Sequence, residues 1–295
     1  MNSEDMTRRI ATGEGFIAAL DQSGGSTPKA LTGYGIKDGS WSGDDEMFAL
    51  IHAMRERIIE SPCFGGGKVI GAILFEKTMD GTSGGKPVPE RLAERGVVPF
   101  LKVDKGLEDE ADGVQLMKPM PELETLLARA RDKGVFGTKM RSVIKSNQAG
   151  GIEQIVRQQF EEGKRILAAG LMPILEPEYD IKSADRAEGE KVLLEAILTE
   201  LSALPEGQQV MLKLSIPAES NLYQPLIDHP KVLRVVALSG GYSTEEACAK
   251  LSENAGMIAS FSRGLLQELR HQQSDEEFDA TLGSAIDQIH LASVR

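Results

Sequence analysis

Charged side chains occur two residues apart in three short, otherwise apolar segments of the sequence. The pairs are Lys102 with Asp104, Lys139 with Arg141, and Glu176 with Glu178. Because side chains alternate between the two faces of a β-strand, the two members of each pair project from the same face. One such pair is as typical of a solvated rim or a structural ion pair as of a functional site. Three pairs together favour one polar site built from lysine, arginine and carboxylate groups.

Lys213 lies in the middle of the apolar segment 209–215. A lone buried ammonium loses its hydration, which favours the neutral amine, and a neutral lysine is the nucleophile of imine-forming enzymes. A second lysine in the same place, such as Lys139, would favour the neutral form further. The alternative is a structural ion pair between Lys213 and Glu176 or Glu178, and these residues alone leave both interpretations open.

Short apolar segments alternate with longer amphipathic segments along the chain. The pattern predicts strands at 15–20, 69–75, 97–103, 136–142, 171–177, 209–215, 232–241 and 256–262. It predicts helices at 45–60, 121–133, 152–169, 188–203, 244–254 and 276–293. Nearly all the strands are apolar enough to be buried on both faces. The fold predicted is therefore α/β, a closed (β/α)8 TIM barrel rather than an open doubly wound sheet.

The segments between these elements indicate no division of the chain. Without a linker or a break in composition, residues 1–295 are expected to form one catalytic domain. The glycine-rich segments 33–43 and 77–90 are expected to be loops. The glycine run 65–67 is expected to be a turn, because it lacks the spacing of a phosphate-binding loop.

Active sites of this fold lie at the C-terminal ends of the strands, where seven of the eight predicted strands carry or lead into polar residues. The positive residues there are Lys102, Lys139, Arg141, Lys213 and Arg263, and the negative ones are Asp21, Asp104, Glu176 and Glu178. The whole chain has a formal net charge of −12. A locally basic barrel mouth on such a chain indicates an anionic small-molecule substrate.

Phosphate is the anion that the loops favour. Residues 239–241 and 262–264 each precede a predicted helix start, and barrels often bind phosphate in the loops after strands seven and eight. Lys102 and Arg141 belong to strands on the opposite side of the predicted ring. This separation indicates a substrate with two anionic ends.

The composition argues against several other classes of protein. The 45 acidic residues outnumber the 33 Lys and Arg, which disfavours nucleic-acid or anionic-membrane partners. The two cysteines form no motif and the four histidines have no ligand spacing, so no metal or other cofactor is expected. A polar N-terminal segment and the lack of a long apolar run favour a cytoplasmic protein. The oligomeric state is not predictable from these observations.

Seven motifs, taken in chain order, match one enzyme family. They are AALDQSGGS at 18–26, LKVDKG at 101–106, GTKMRS at 137–142, ILEPE at 174–178, MLK at 211–213, LSGG at 238–241 and SFSRGL at 260–265. Over nearly its whole length the sequence resembles class I fructose-bisphosphate aldolases, the metal-independent Schiff-base type, in their short bacterial form. The resemblance implies a lyase of glycolysis and gluconeogenesis. Its reaction would be the reversible cleavage of fructose 1,6-bisphosphate to dihydroxyacetone phosphate and glyceraldehyde 3-phosphate.

The resemblance also implies a role for each matched residue. Lys213 would form the imine, Glu176 would be the general acid and base, and Asp21 would take the proton from the 4-hydroxyl group. Lys139 and Glu178 would shape the charge around the imine. The residues implied for the 1-phosphate are Ser239, Gly240, Gly241, Arg263 and Gly264. Those implied for the 6-phosphate are Lys102, Arg141, Ser23 and Ser26.

Two departures from the family pattern stand out. Gln22 takes the place of an acid found in many animal and plant relatives. The chain ends at Arg295 without the tyrosine-terminated tail of the animal enzymes, so Glu176 or the bound phosphate is expected to exchange the proton at C3. The alternatives are another Schiff-base aldolase or transaldolase acting on a related sugar phosphate, and a non-catalytic sugar-phosphate-binding protein.

Overall fold

Eight parallel strands form a ring in the computed structural model, which describes residues 1–65 and 67–295. The strands are β1 Phe16–Leu20, β2 Val69–Leu74, β3 Val98–Lys102, β4 Gly137–Ile144, β5 Met172–Tyr179, β6 Val210–Ser215, β7 Val232–Leu238 and β8 Ile258–Ala259. Each strand pairs with the next in this order, and β8 lies against β1. The predicted (β/α)8 barrel is therefore confirmed.

The helices that the sequence pattern predicted are present, together with several shorter ones. In chain order they are α1 Ser3–Thr12, α2 Ser26–Gly33, α3 Asp44–Glu60, α4 Glu76–Asp80, α5 Val88–Glu94, α6 Leu123–Asp132, α7 Ala149–Ala168, α8 Arg186–Ala203, α9 Gln224–Ile227, α10 Thr244–Leu251, α11 Arg263–Leu266 and α12 Asp275–Ser293. The six predicted helices correspond to α3, α6, α7, α8, α10 and α12. The others are mostly too short to show a clear apolar period, which is why the pattern did not reveal them.

The prediction that 77–90 is a plain loop was wrong. This segment contains most of α4, an antiparallel pair of two-residue strands (Thr82–Ser83 with Lys86–Pro87) and the start of α5. Outside this segment, a further short strand, Val114–Gln115, pairs antiparallel with the end of β4. The glycine run 65–67, expected as a turn, includes Gly66, which lies outside the described residues.

The inside of the barrel is apolar at the N-terminal ends of the strands. Residues packed there are Ile17, Ile70, Ile73, Val98, Phe100, Ile174, Met211, Val236 and Ile258, together with Met6 and Ile10 of α1. Because side chains alternate along a strand, Glu176 shares the inner face with Ile174, and Lys213 shares it with Met211. The same alternation that builds this core therefore turns charged residues inward at the other end.

Two strands end earlier than their sequence pattern suggested. β7 stops at Leu238, because Gly240 and Gly241 adopt φ of +60° and +124°, which an extended strand does not contain. β8 pairs only over Ile258–Ala259 instead of 256–262. Both early ends place loop backbone, rather than strand, at this side of the barrel mouth.

Candidate active site

Four charged side chains meet inside the C-terminal end of the barrel, and each is at most 10% exposed. Lys139 Nζ lies 2.9 Å from Asp21 Oδ2 and 2.7 Å from Glu176 Oε2. Lys213 Nζ lies 3.0 Å from the other oxygen of the same carboxylate, Glu176 Oε1. The four residues come from the end of β1 and from β4, β5 and β6, so the cluster exists only once the barrel has formed.

The two ions of the Lys139–Asp21 pair hold each other in the charged state. Burial by itself would raise the pKa of Asp21, but Lys139 and Lys213 outweigh it and hold that pKa well below the usual carboxyl range. Burial by itself would lower the pKa of Lys139, but Asp21 and Glu176 outweigh it and raise that pKa above the ordinary lysine value. Both groups of this pair are therefore charged at neutral pH.

Glu176 is shared between the two lysines, one carboxylate oxygen to each. The ion pair considered for Lys213 is thus present, with Glu176 and not with Glu178. At 3.0 Å, a proton can pass directly from the Lys213 ammonium to the carboxylate. That transfer yields a neutral amine beside a carboxylic acid, which is the starting state for attack on a carbonyl group.

Gln159 of α7 fixes the backbone behind these residues. Its amide nitrogen donates to Ser142 Oγ at 2.8 Å and to the carbonyl of Met140 at 3.3 Å. Its amide oxygen accepts from the backbone N–H of Glu176 at 3.3 Å, where the β5–β6 ladder has ended one residue earlier. The side chain of Gln159 therefore provides hydrogen-bond partners for the Met140 carbonyl on β4 and the Glu176 N–H on β5.

Lys102 and Arg141, the cations expected at the 6-phosphate, form a second group at the mouth. We call them the distal cations, and each has a carboxylate partner. Lys102 Nζ donates to Asp104 Oδ1 at 2.7 Å and to the Asp104 carbonyl at 2.8 Å. Arg141 Nε donates to Glu178 Oε2 at 2.6 Å. Burial opposes the charge of Arg141, but Glu178 outweighs it and raises the pKa of the guanidinium. An anion binding here must compete with, or bridge, groups that are already paired.

Asp104 joins the two cations, although the sequence analysis assigned it no site role. Its Oδ2 accepts from the backbone N–H of Arg141 at 3.2 Å while Oδ1 accepts from Lys102. Its side chain is 4% exposed, so it supports the cations from below rather than meeting solvent. Its position two residues after Lys102 had already placed it among the charged residues of the mouth.

The loops after β7 and β8 form a third group on the opposite side of the ring. A Cβ built on Gly241 would lie 3.5 Å from Arg263 Nη2, so the two loops are adjacent. Arg263 is exposed and makes no ion pair within the described ranges. Ser243 Oγ caps α10 by accepting from the N–H of Glu246 at 3.1 Å. In contrast to the distal cations, this side offers a guanidinium without a carboxylate partner.

Ser23 and Ser26 lie in one turn that leads into α2. Ser26 Oγ accepts from the N–H of Ser23 at 2.9 Å and donates to the Ser23 carbonyl at 2.8 Å. The Ser26 hydroxyl therefore holds the turn in this state. Among the residues described, neither serine forms a hydrogen bond with Lys102 or Arg141.

Two further observations concern the described residues as a whole. No three side chains of the His, Cys, Asp or Glu types are grouped so as to bind a metal ion in the described part. Over the same residues, every helix is either too short or too polar to span a membrane.

Comparison with known proteins bears on this arrangement. The chain is similar in fold to fructose-bisphosphate aldolase from Plasmodium falciparum, with a TM-score of 0.76, 18% identity, and coverage of 99% of this chain and 94% of that one. It is more distantly similar to a protein from Corynebacterium glutamicum, with a TM-score of 0.50, 14% identity, and coverage of 98% and 92%. At these identities the two likenesses concern the barrel alone.

The family of this chain follows from its match to a protein-family model. The model described as fructose-bisphosphate aldolase class-I matches residues 4–260, which include every predicted site residue except Arg263 and Gly264. The match covers most of the chain. The chain therefore belongs to the class I fructose-bisphosphate aldolase family, a family of lyases.

Proposed function

We propose that this protein cleaves fructose 1,6-bisphosphate reversibly to dihydroxyacetone phosphate and glyceraldehyde 3-phosphate through an imine on Lys213. The observation that carries the proposal is the contact of 3.0 Å between Lys213 Nζ and Glu176 Oε1, buried below a mouth lined with cations. Membership of the class I aldolase family supports the same reaction.

Imine formation begins with the proton shared by Lys213 and Glu176. Once the carboxylate takes that proton, the Lys213 amine attacks the C2 ketone, and the C2–N bond forms as the carbon–oxygen π bond breaks. Glu176 relays one proton from that nitrogen to the C2 oxygen, which gives the carbinolamine. Glu176 returns a proton to the C2 hydroxyl, which leaves as water and gives the protonated imine. Lys139, fixed as a cation by Asp21 and Glu176, keeps positive charge next to these oxygens throughout.

Cleavage then uses the imine as an electron sink. Asp21 accepts the proton of the 4-hydroxyl group as the C3–C4 bond breaks, and the electron pair of that bond moves into the imine to form an enamine. Glyceraldehyde 3-phosphate departs. Protonation at C3, for which we propose Glu176 or the bound phosphate, and hydrolysis of the imine release dihydroxyacetone phosphate. No step in this scheme uses a metal ion or another cofactor.

The two phosphates orient the bond to be broken. We assign the 1-phosphate to Ser239, Gly240, Gly241, Arg263 and Gly264, and the 6-phosphate to Lys102, Arg141, Ser23 and Ser26. β3 and β4 lie across the ring from β7 and β8, which supports two anionic groups on one substrate. Contacts remote from the reacting carbons supply binding energy that positions them.

In the same proposal the chain is one catalytic domain in the cytoplasm, where its unpaired Cys63 and Cys248 stay reduced.

The test is borohydride reduction with dihydroxyacetone phosphate, with a chelator present, followed by peptide mass mapping. The expected result is a reduced adduct on Lys213. Lys213→Met should lose the adduct and at least about 1,000-fold in cleavage rate, because no other residue replaces the nucleophile. Lys231→Met is the matched control, since Lys231 Nζ instead donates to the carbonyl of Leu204 at 2.5 Å.

Three outcomes would contradict the proposal. Cleavage that the chelator abolishes, with no adduct, would indicate a metal-dependent reaction. Binding of the sugar phosphate with neither adduct nor cleavage would indicate a non-catalytic binding protein. An adduct with cleavage insensitive to Arg141→Met would indicate a Schiff-base enzyme for a substrate with one phosphate.

A further inference from the structure

Arg55 of α3 is completely buried, yet it forms no ion pair with a carboxylate in the described residues. Its Nη1 donates to Thr78 Oγ1 at 2.8 Å. Its Nη2 donates to the backbone carbonyl of Gln22 at 2.6 Å and to Gln22 Oε1 at 3.2 Å. Burying a guanidinium costs its hydration, and neutral partners compensate for that loss less well than a carboxylate does. A buried arginine bonded only to neutral groups therefore indicates a specific role.

The group that Arg55 holds is the residue directly after Asp21. The side chain of Gln22 then continues the contact: its Nε2 donates to the carbonyl of Ala19 at 2.9 Å and to Ser262 Oγ. Ser262 directly precedes Arg263. One chain of hydrogen bonds therefore runs from α3, through the turn that carries Asp21, to the loop that carries Arg263.

We propose that Arg55 is a positioning residue for carbon–carbon bond cleavage: by holding the carbonyl and side chain of Gln22, it keeps Asp21 aimed at the 4-hydroxyl group and couples that turn to Ser262. The inference rests on the proposed function, because it takes the role of Asp21 from there. It also accounts for Gln22, whose amide accepts from Arg55 and donates to Ser262 at once. A carboxylate at this position would accept from Arg55 but could not donate to Ser262.

The charge of Arg55 acts in the same direction. Burial lowers the pKa of Arg55 and the nearby Asp21 carboxylate partly opposes that shift; the resulting pKa of about 10 keeps the guanidinium charged at neutral pH. The buried positive charges of Arg55 and Lys139 thus both act on the Asp21 carboxylate. Lys139 makes the direct ion pair at 2.9 Å, whereas Arg55 acts through the neighbouring residue.

The experiment separates imine formation from cleavage. Imine formation with dihydroxyacetone phosphate uses Lys213 and Glu176, whereas cleavage of the bisphosphate also needs Asp21 in place. Arg55→Met should lower kcat for cleavage by about 10- to 100-fold, the cost typical of a misplaced reacting group, and change KM little. Borohydride trapping of dihydroxyacetone phosphate on Lys213 should remain near the wild-type rate.

The matched control is Arg234→Met. Arg234 is also a largely buried arginine that donates to a backbone carbonyl, that of Ala11 at 2.7 Å, but it lies at the opposite end of the barrel. This variant should lose stability without losing cleavage selectively. If Arg55→Met does not fold, Arg55→Lys should show the same selective loss of cleavage to a smaller degree, because its single nitrogen keeps the charge but cannot contact both Thr78 and Gln22 as the two guanidinium nitrogens do.

Two results would overturn the inference. Equal losses of trapping and cleavage would show that Arg55 has only a structural role. Cleavage by the Arg55 variant at the rate of the Arg234 variant would show that Asp21 does not depend on it. Both results leave the proposed function standing, whereas that function fails only if the wild-type protein itself gives no adduct and no cleavage.

Discussion

Individual residues at the mouth differ in how ready they are to receive an anion. Arg263 is exposed and unpaired with any described carboxylate, whereas Lys102 and Arg141 are already bonded to Asp104 and Glu178. A phosphate that reaches Arg141 must share it with Glu178. The 1-phosphate end is therefore expected to provide more of the binding energy than the distal end.

This asymmetry predicts a substrate-dependent effect of Arg141→Met. Loss of a charge-assisted hydrogen bond costs about 1.5–3 kcal/mol, so KM for fructose 1,6-bisphosphate should rise about 10- to 100-fold. KM for fructose 1-phosphate, which lacks the distal phosphate, should change little. Steady-state kinetics with both substrates checks this, with Arg129→Met at an exposed ion pair as the control. An equal effect on both substrates would contradict the assignment of Arg141.

Among the structural elements, the loop after β7 is held in its conformation by one glycine. Gly240 has φ of +60°, and a Cβ built there would lie 2.5 Å from Cγ2 of Ile181. Any side chain at this position must therefore displace either the loop or Ile181. Because the adjacent Gly241 lies beside Arg263, a displaced loop would also move away from that guanidinium.

Gly240→Ala is accordingly expected to raise KM for fructose 1,6-bisphosphate and fructose 1-phosphate alike, by about 10-fold or more, through loss of the 1-phosphate contacts. Gly256→Ala is the matched control. Gly256 also has positive φ, +80°, and its added Cβ would lie 2.8 Å from an isoleucine Cγ2, but it precedes β8 at the opposite end of the barrel. Kinetics and thermal unfolding of both variants check the prediction. A normal KM in the Gly240 variant would remove this loop from the phosphate site.

For the molecule as a whole, the buried cluster of Asp21, Lys139, Glu176 and Lys213 connects four of the eight strands. Its ion pairs make the free energy of unfolding depend on pH. The depressed pKa of Asp21 means that its contribution is fully present above the ordinary carboxyl pKa of about 4 and is lost as pH falls through the folded value. The raised pKa of Lys139 means that its contribution is fully present below about 10.4 and is lost as pH rises through the folded value. The pair therefore stabilises the fold most between these limits.

Urea unfolding of the wild type and of Asp21→Asn between pH 7 and pH 3 tests this. At pH 7 the variant should be less stable by about 3 kcal/mol, because the buried Lys139 ammonium loses one of its two carboxylate partners. The difference should narrow below pH 4, because the Asp21 carboxyl of the unfolded chain takes up a proton there while that of the folded chain stays ionised. Asp45→Asn, which removes the exposed partner of Lys77, should have little effect at either pH. An Asp21 difference of the same size at pH 3 and pH 7 would contradict the prediction.

Much of this structure could be predicted from the sequence because it depends on local periodicity. The alternation of apolar strands and amphipathic helices predicted the barrel. The two-residue spacing predicted that the two members of each charged pair, such as Glu176 and Glu178, project from the same face of a strand. Short elements such as α1 and α5 were missed, because they stay in place through packing against the barrel rather than through a strong pattern of their own.

The amino-acid sequence by itself thus determined the fold class and the set of polar residues at one end of the barrel, since both follow from which way each side chain must face. Only the tertiary structure decided which charged and polar side chains contact one another. Glu176 is divided between two lysines, the distal cations are bonded to carboxylates, and Arg55 reaches Gln22 across 33 positions of sequence. Such contacts depend on how distant segments approach one another in space, and no local pattern encodes that approach.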